Sequence, residues 1–209
     1  MEGTRGHKVP VQGISQDSGI IHNIKRIRNR WGRLHWEKEM IKAIVYLTNT
    51  GSTGRYSEML SEATGLPAFS LREAGDHLKL NDEIFYLGWV VQGRIKGFNR
   101  AALRYSIVGA CAVGMNPQEG DTSKKIKDKT GITNPRIKVF YARGAFDMDK
   151  LDAVHRLFMG IVLKTLKENK GDKNLIRLIE KGGDFVEREN IKAAADWITG
   201  YNRRFGEQG

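Results

Sequence analysis

Thr48-Asn49-Thr50-Gly51-Ser52-Thr53 places four hydroxyls, a carboxamide and a glycine in six consecutive residues. That set suits a ligand bearing anionic oxygens. The hydroxyls and the backbone N–H groups can donate, and Gly51 lets the main chain come close. Tyr56, Met59, Leu60 and Ala63 follow at i, i+3, i+4 and i+7, one face of a helix. A helix starting here leaves about four N–H groups without intrahelical partners and adds roughly half a positive charge at its end. Together these make a phosphate cradle that needs no lysine. No Gly-Lys-Ser/Thr follows, so it is not a P-loop, and it is not Gly-x-Gly-x-x-Gly either. The plainer alternative is that Ser52 or Thr53 only caps the helix.

Other chemistry-bearing residues are sparse. Cys111 is the single cysteine, which excludes an internal disulfide and a multi-cysteine metal site. His155 reads as a core or boundary histidine, because no acidic or nucleophilic partner is evident in the sequence. No Ser/His/Asp, zinc or paired-carboxylate pattern points to another enzyme class.

The turn needs elements to hold it. Ala43–Leu47 is a short apolar run suited to a strand covered on both faces, and Gly65 and Pro67 stop the helix that follows. Pro67–Leu71 fits a short second strand. Glu83–Val91 and Ser106–Val113 are strong buried strands, and Ile137–Ala142 is the fifth. Residues 92–97 read as a loop, Phe98–Arg104 as a short helix and Asn116–Asn134 as a solvated helix. A long helix over residues 149–170 should turn Leu151, Val154, Phe158, Ile161, Val162 and Leu166 to the core. Helical spacing returns at Ile191, Ala194, Ala195 and Ile198, and the chain is expected to fray over residues 201–209. Strands alternating with helices predict an α/β fold: a doubly wound, five-stranded parallel sheet in the order 2-1-3-4-5. Ligands of such sheets bind beyond the carboxyl ends of the strands at the switch point between strands one and three. The hydroxyl-rich turn falls there.

Thr48, Thr50, Gly51 and Thr53 match, position for position, the Thr-x-Thr-Gly-x-Thr signature between first strand and first helix of flavodoxins. The stretch resembles that family, and more weakly so does the chain from about Met40 to about Lys170. The resemblance implies a flavodoxin-like fold and an FMN cofactor whose 5′-phosphate sits on Thr48–Thr53. It implies that the loops after strands three and four sandwich the flavin ring: Gly88, Trp89, Val90 and Gly93 in one, Cys111, Ala112 and Gly114 in the other. Trp89 is either a stacking partner or a strand-end core residue, and Cys111 either faces the flavin or is a buried inert thiol. The turn Gly144-Ala145-Phe146-Asp147, with the helix after it, resembles the flavodoxin-type group that includes menaquinone-dependent protoporphyrinogen oxidase. Three functions follow as expectations. One is an FMN-binding redox protein passing electrons between partner proteins or to a small-molecule acceptor. The second is a flavin-dependent oxidase or reductase with its own substrate, and the third is a flavin-free interaction module.

The formal charge is +11. Residues 1–39 hold eight Lys/Arg against four Asp/Glu, so four of those charges sit there and seven on the rest. The resembling electron shuttles are typically acidic, so this chain departs from them. Such a balance admits nucleic acid, an anionic membrane surface or an acidic partner. The resemblance disfavours nucleic acid and leaves peripheral membrane contact open. Residues 1–39 lack the pattern of a folded unit. They fit a disordered tail, a basic arm built on Lys25, Arg26, Arg28, Arg30 and Arg33, or a start placed too early, with Met40 the true first residue. Trp36-Glu37 must be encoded TGG-GAR, a purine-rich run of ribosome-binding type just ahead of the Met40 codon. The longest apolar run is too short to span a bilayer, and a reduced, cytoplasmic setting is expected.

Overall fold

The structure, a computed structural model, describes residues 40–206. The extension over residues 1–39, and with it the basic arm, lies outside them, as do residues 207–209. The strands are β1 (Ala43–Leu47), β2 (Ala68–Ser70), β3 (Glu83–Val91), β4 (Arg94–Ile95), β5 (Ser106–Gly114) and β6 (Lys138–Arg143). Five of them form one parallel sheet in the order β2-β1-β3-β5-β6, the expected doubly wound arrangement. The sixth, β4, folds back antiparallel on β3 within the segment expected to be a loop. Gln92 (φ 50°) and Gly93 (φ 76°) both take positive φ there, as the tightest hairpin turns require.

The helices are α1 (Ser52–Thr64), α2 (Ala74–His77), α3 (Phe98–Ala102), α4 (Thr122–Thr130), α5 (Ala153–Glu168), α6 (Lys173–Lys181) and α7 (Glu189–Gly206). Along β3, successive side chains go to opposite faces of the sheet. Ile84 and Tyr86 join Val45, Ala110 and Tyr141 on the face covered by α3 and α4, through Phe98, Ala101 and Ile126. Phe85 and Leu87 join Ile44, Cys111 and Val113 on the face covered by α1 and α7, through Tyr56, Leu60, Ile191 and Ile198. The sheet is thus buried on both sides, which is why its strands read as continuous apolar runs.

Two expectations are corrected. The helix after β6 does not cover the sheet: Val154, Phe158 and Ile161, expected in the core, are 75%, 46% and 58% exposed. The site on the sheet belongs to α7, whose Trp197 packs against Phe85 and Phe140. Helix α5 instead turns Met159, Val162, Leu163 and Leu166 toward Phe146, Leu178 and Ile179, a small separate cluster shared with α6. The frayed end expected from residue 201 is helical through Gly206. Asn202 accepts from the Ile41 N–H at 2.8 Å and donates to the Ile41 carbonyl at 3.2 Å, so α7 clamps the start of the sheet. Among the described residues no helix is long and apolar enough to cross a membrane, and no group of His, Cys, Asp and Glu could hold a metal ion.

Candidate functional site

Gly51 takes φ 99° at the start of α1, and no side chain caps that helix. Neither Ser52 nor Thr53 acts as the helix cap. A left-handed residue at this point turns the chain out of β1 into the helix within one step, which is what glycine is for here. Nothing lies within 4 Å of where a Gly51 Cβ would be, so the space beside the helix end is open. The Thr48 hydroxyl accepts from the Gly51 N–H at 3.2 Å and braces the turn.

This helix end opens into a cleft of about 780 Å³, within the usual range for ligand sites. Asn49, Thr50, Ser52 and Thr53 line one end. Trp89, Val90 and Gly93, from the end of β3 and its hairpin, line a second wall, and Gly114, at the end of β5, a third. All sit at the carboxyl edge of the sheet. Eight of the residues singled out from the sequence therefore meet around one space. Thr48 and Gly51 shape the turn behind it.

The remaining three do not reach it. Cys111 and Ala112 are fully buried, one in each half of the core. Burial pushes the Cys111 thiol up to about 12, which keeps it a neutral, inert side chain. Gly88 lies where β3 receives the returning hairpin. A Cβ there would meet Ile95 Cγ2 and the Lys96 carbonyl at 2.6 Å, so its bareness serves strand packing.

Several cleft residues escaped the sequence reading. Ser52 is one it placed but whose work it missed: its hydroxyl accepts from the Ala145 N–H at 2.9 Å, which ties the helix end to the loop after β6. Tyr141 donates to the Asn116 carbonyl at 2.6 Å and Arg143 Nε to the Met115 carbonyl at 3.1 Å. The two side chains leave the last strand and pin the loop after β5. The Arg143 guanidinium also lies 3.4 Å above the Phe185 ring. The Arg143 carbonyl accepts a hydrogen bond from the Tyr56 hydroxyl at 2.5 Å, and Tyr56 accepts from Asn190 at 2.8 Å. A position at the end of the last parallel strand was the available signal for Arg143.

His155 does have an acidic partner. Its Nδ1 stands 2.6 Å from Asp152, which also accepts the His155 N–H at 3.0 Å and so caps α5. Those hydrogen bonds hold the Asp152 carboxyl below the ordinary carboxylate value. The imidazole meets Trp89 edge-on, 5.3 Å between ring centres, and both face the cleft. Asp-x-x-His at a helix start was the legible signal. Lys125 and Lys129 add positive charge on the α4 side, and the Lys129 stem lies over Gly93, 2.6 Å from where a Cβ would stand. Glu119 and Asp172 are the acidic residues of the lining.

Among curated proteins none matches the chain. The profile of the flavodoxin domain matches residues 43–174, from the first residue of β1 to the start of α6. The match covers more than half of the chain and takes in the Thr48–Thr53 turn, the loops after β3 and β5 and the parallel sheet that carries them. The chain belongs to the flavodoxin domain family.

Proposed function

We propose that the cleft binds FMN and that the protein is an electron-transferring redox protein of the flavodoxin type. The observation that carries this is the uncapped, glycine-led end of α1 opening into a cleft with a tryptophan wall. The helix-end N–H groups and the Thr50 and Thr53 hydroxyls bind the 5′-phosphate, with Asn49 at its edge. Trp89 offers an aromatic face to the ring, and Val90, Gly93 and Gly114 close the walls and keep water off it. Ser52 and Arg143 hold the neighbouring loops in register. Bound flavin supplies reversible electron uptake, and the protein sets where that happens and to what it is exposed.

A second function has one specific support. Lys125, Lys129 and Arg143 make the cleft wall basic, unlike an acidic shuttle. That favours an oxidase or reductase with an anionic substrate of its own, such as the group that includes protoporphyrinogen oxidase. The test of both is the visible spectrum of the purified protein, before and after loading with FMN and desalting. A retained flavin spectrum is expected, followed by reduction when a donor is added. A protein that stays colourless after loading sinks both functions and leaves a flavin-free binding module. Turnover of an anionic substrate without any partner protein would decide for the second.

A further inference from the structure

Helix α5 carries two apolar faces. One is spent on the cluster with α6. The other stands in solvent: Val154 is 75% exposed, Leu157 69%, Phe158 46% and Ile161 58%. These four, at i, i+3, i+4 and i+7, account for four of the six exposed large apolar side chains among the described residues. The other two, Leu80 and Leu103, stand alone, as scattered surface leucines do. A surface helix needs one apolar stripe, and a second contiguous one calls for a cover.

We propose that a second copy of this chain provides the cover, in an antiparallel α5–α5 contact about a twofold axis. The stripe is symmetric about its midpoint between Leu157 and Phe158. Reversing the helix direction about that point sets Val154 against Ile161 of the second copy and Leu157 against Phe158, each twice. A surface that matches its own reversal is what a twofold interface requires. The charges agree with the same operation. Lys164, beyond one end of the stripe, comes to the Asp152 end of the second helix, and the twofold repeats that pairing at the other end of the contact. Gly160, whose Cβ position has nothing within 4 Å, leaves room for the helices to approach. Phe158 also lines the cleft, so the contact covers the cleft's outer wall.

Charge separates this occupant from a lipid surface. Residues 147–170 hold five Lys/Arg and four Asp/Glu, close to balance. Arg156 is held by the carbonyls of Asp149 and Leu151, and Lys167 by Glu180. Helices that lie on anionic membranes carry a clear basic excess on their polar face.

Sedimentation or light scattering of the full chain over about 1–100 µM tests the proposal, a span that brackets dissociation constants typical of modest interfaces. Wild type is expected to reach the dimer mass within it. A Leu157→Glu/Ile161→Glu variant, altered only at exposed positions, should keep its circular dichroism and weaken the dimer at least about tenfold. Wild type that stays monomeric throughout overturns the proposal, and so does a folded variant that dimerises as well as wild type. A monomer that floats with anionic vesicles, and loses that with the same two substitutions, overturns it in favour of a lipid surface. None of these readouts depends on flavin.

Discussion

Thr50 and Thr53 sit differently at the mouth of α1. Thr50 is half-buried beside the cleft, whereas Thr53 is 1% exposed, in the first turn of the helix. If the phosphate lies on the helix end, both hydroxyls donate to a charged oxygen, and such bonds contribute roughly 1.5–3 kcal/mol each. The Thr50→Ala/Thr53→Ala variant should therefore bind FMN about a hundredfold more weakly or worse, measured by flavin fluorescence quenching. Unchanged affinity would place the phosphate elsewhere. Ser52→Ala is a different kind of change. It removes the tie to Ala145, so it should lower stability by about 1 kcal/mol in urea unfolding, with any loss of FMN affinity secondary to a loosened loop. A Ser52 variant that lost FMN as severely as the double threonine variant, at unchanged stability, would make Ser52 a direct ligand.

Helix α7 shows what an element costs to remove. Its last two turns carry Asn202, paired with both polar groups of Ile41, and Tyr201, whose hydroxyl reaches Glu83 at 3.1 Å. Ending the chain after Gly200 should cost about 2–3 kcal/mol, at about 1 kcal/mol per hydrogen bond, seen as a lower urea midpoint. An unchanged midpoint would mean that this end frays after all. The same helix explains what could be seen in the sequence. Strands β1, β3 and β5 were legible almost to the residue, because burial on both faces leaves long apolar runs. The turn at Thr48–Thr53 was legible because hydroxyls, glycine and helix periodicity coincide within a few residues. The facing of α5 was not, because Val154, Phe158 and Ile161 from one stripe and Val162 and Leu166 from the other also read as a single stripe at helical spacing. Which of them turns inward depends on whether α5 or α7 takes the sheet, and Trp197 against Phe85 and Phe140 settles that across more than fifty residues of chain. The cleft divides in the same way. Residues contiguous in sequence at the Thr48–Thr53 end were found together. Tyr141, Arg143 and the His155–Asp152 pair join the site only through contacts that folding creates.

At the scale of the whole molecule, four buried ionisable groups give stability a sign with pH. Burial raises Tyr141 to about 12, from an ordinary 10.0, and Cys111 to about 12, from 9.0. It raises Tyr86 further still, and Tyr56 in the same direction. In the folded state all four keep their protons well above pH 9. In the unfolded state the thiol loses its proton near 9 and the phenols near 10. Above these values the unfolded chain binds fewer protons, so stability falls as pH rises, by about 1.4 kcal/mol per pH unit per group. Below pH 9 the same groups contribute no slope. The basic surface works against this trend, because lysines that lose charge relieve self-repulsion. Exposed charges are screened by salt, however, and act weakly at a distance. The buried groups should win, and by about pH 11 Cys111, Tyr86 and Tyr141 together remove about 5 kcal/mol, the lower end of an ordinary domain's stability of about 5–15 kcal/mol. The urea midpoint is thus expected to be flat from pH 7 to 9 and to fall steeply beyond it, with the tyrosinate absorbance of Tyr56, Tyr86 and Tyr141 rising cooperatively at unfolding. A gradual rise near pH 10 that accounted for all six tyrosines in a protein still folded would show that water reaches Tyr86 and Tyr141, and that the two halves of the core are less closed than their burial indicates.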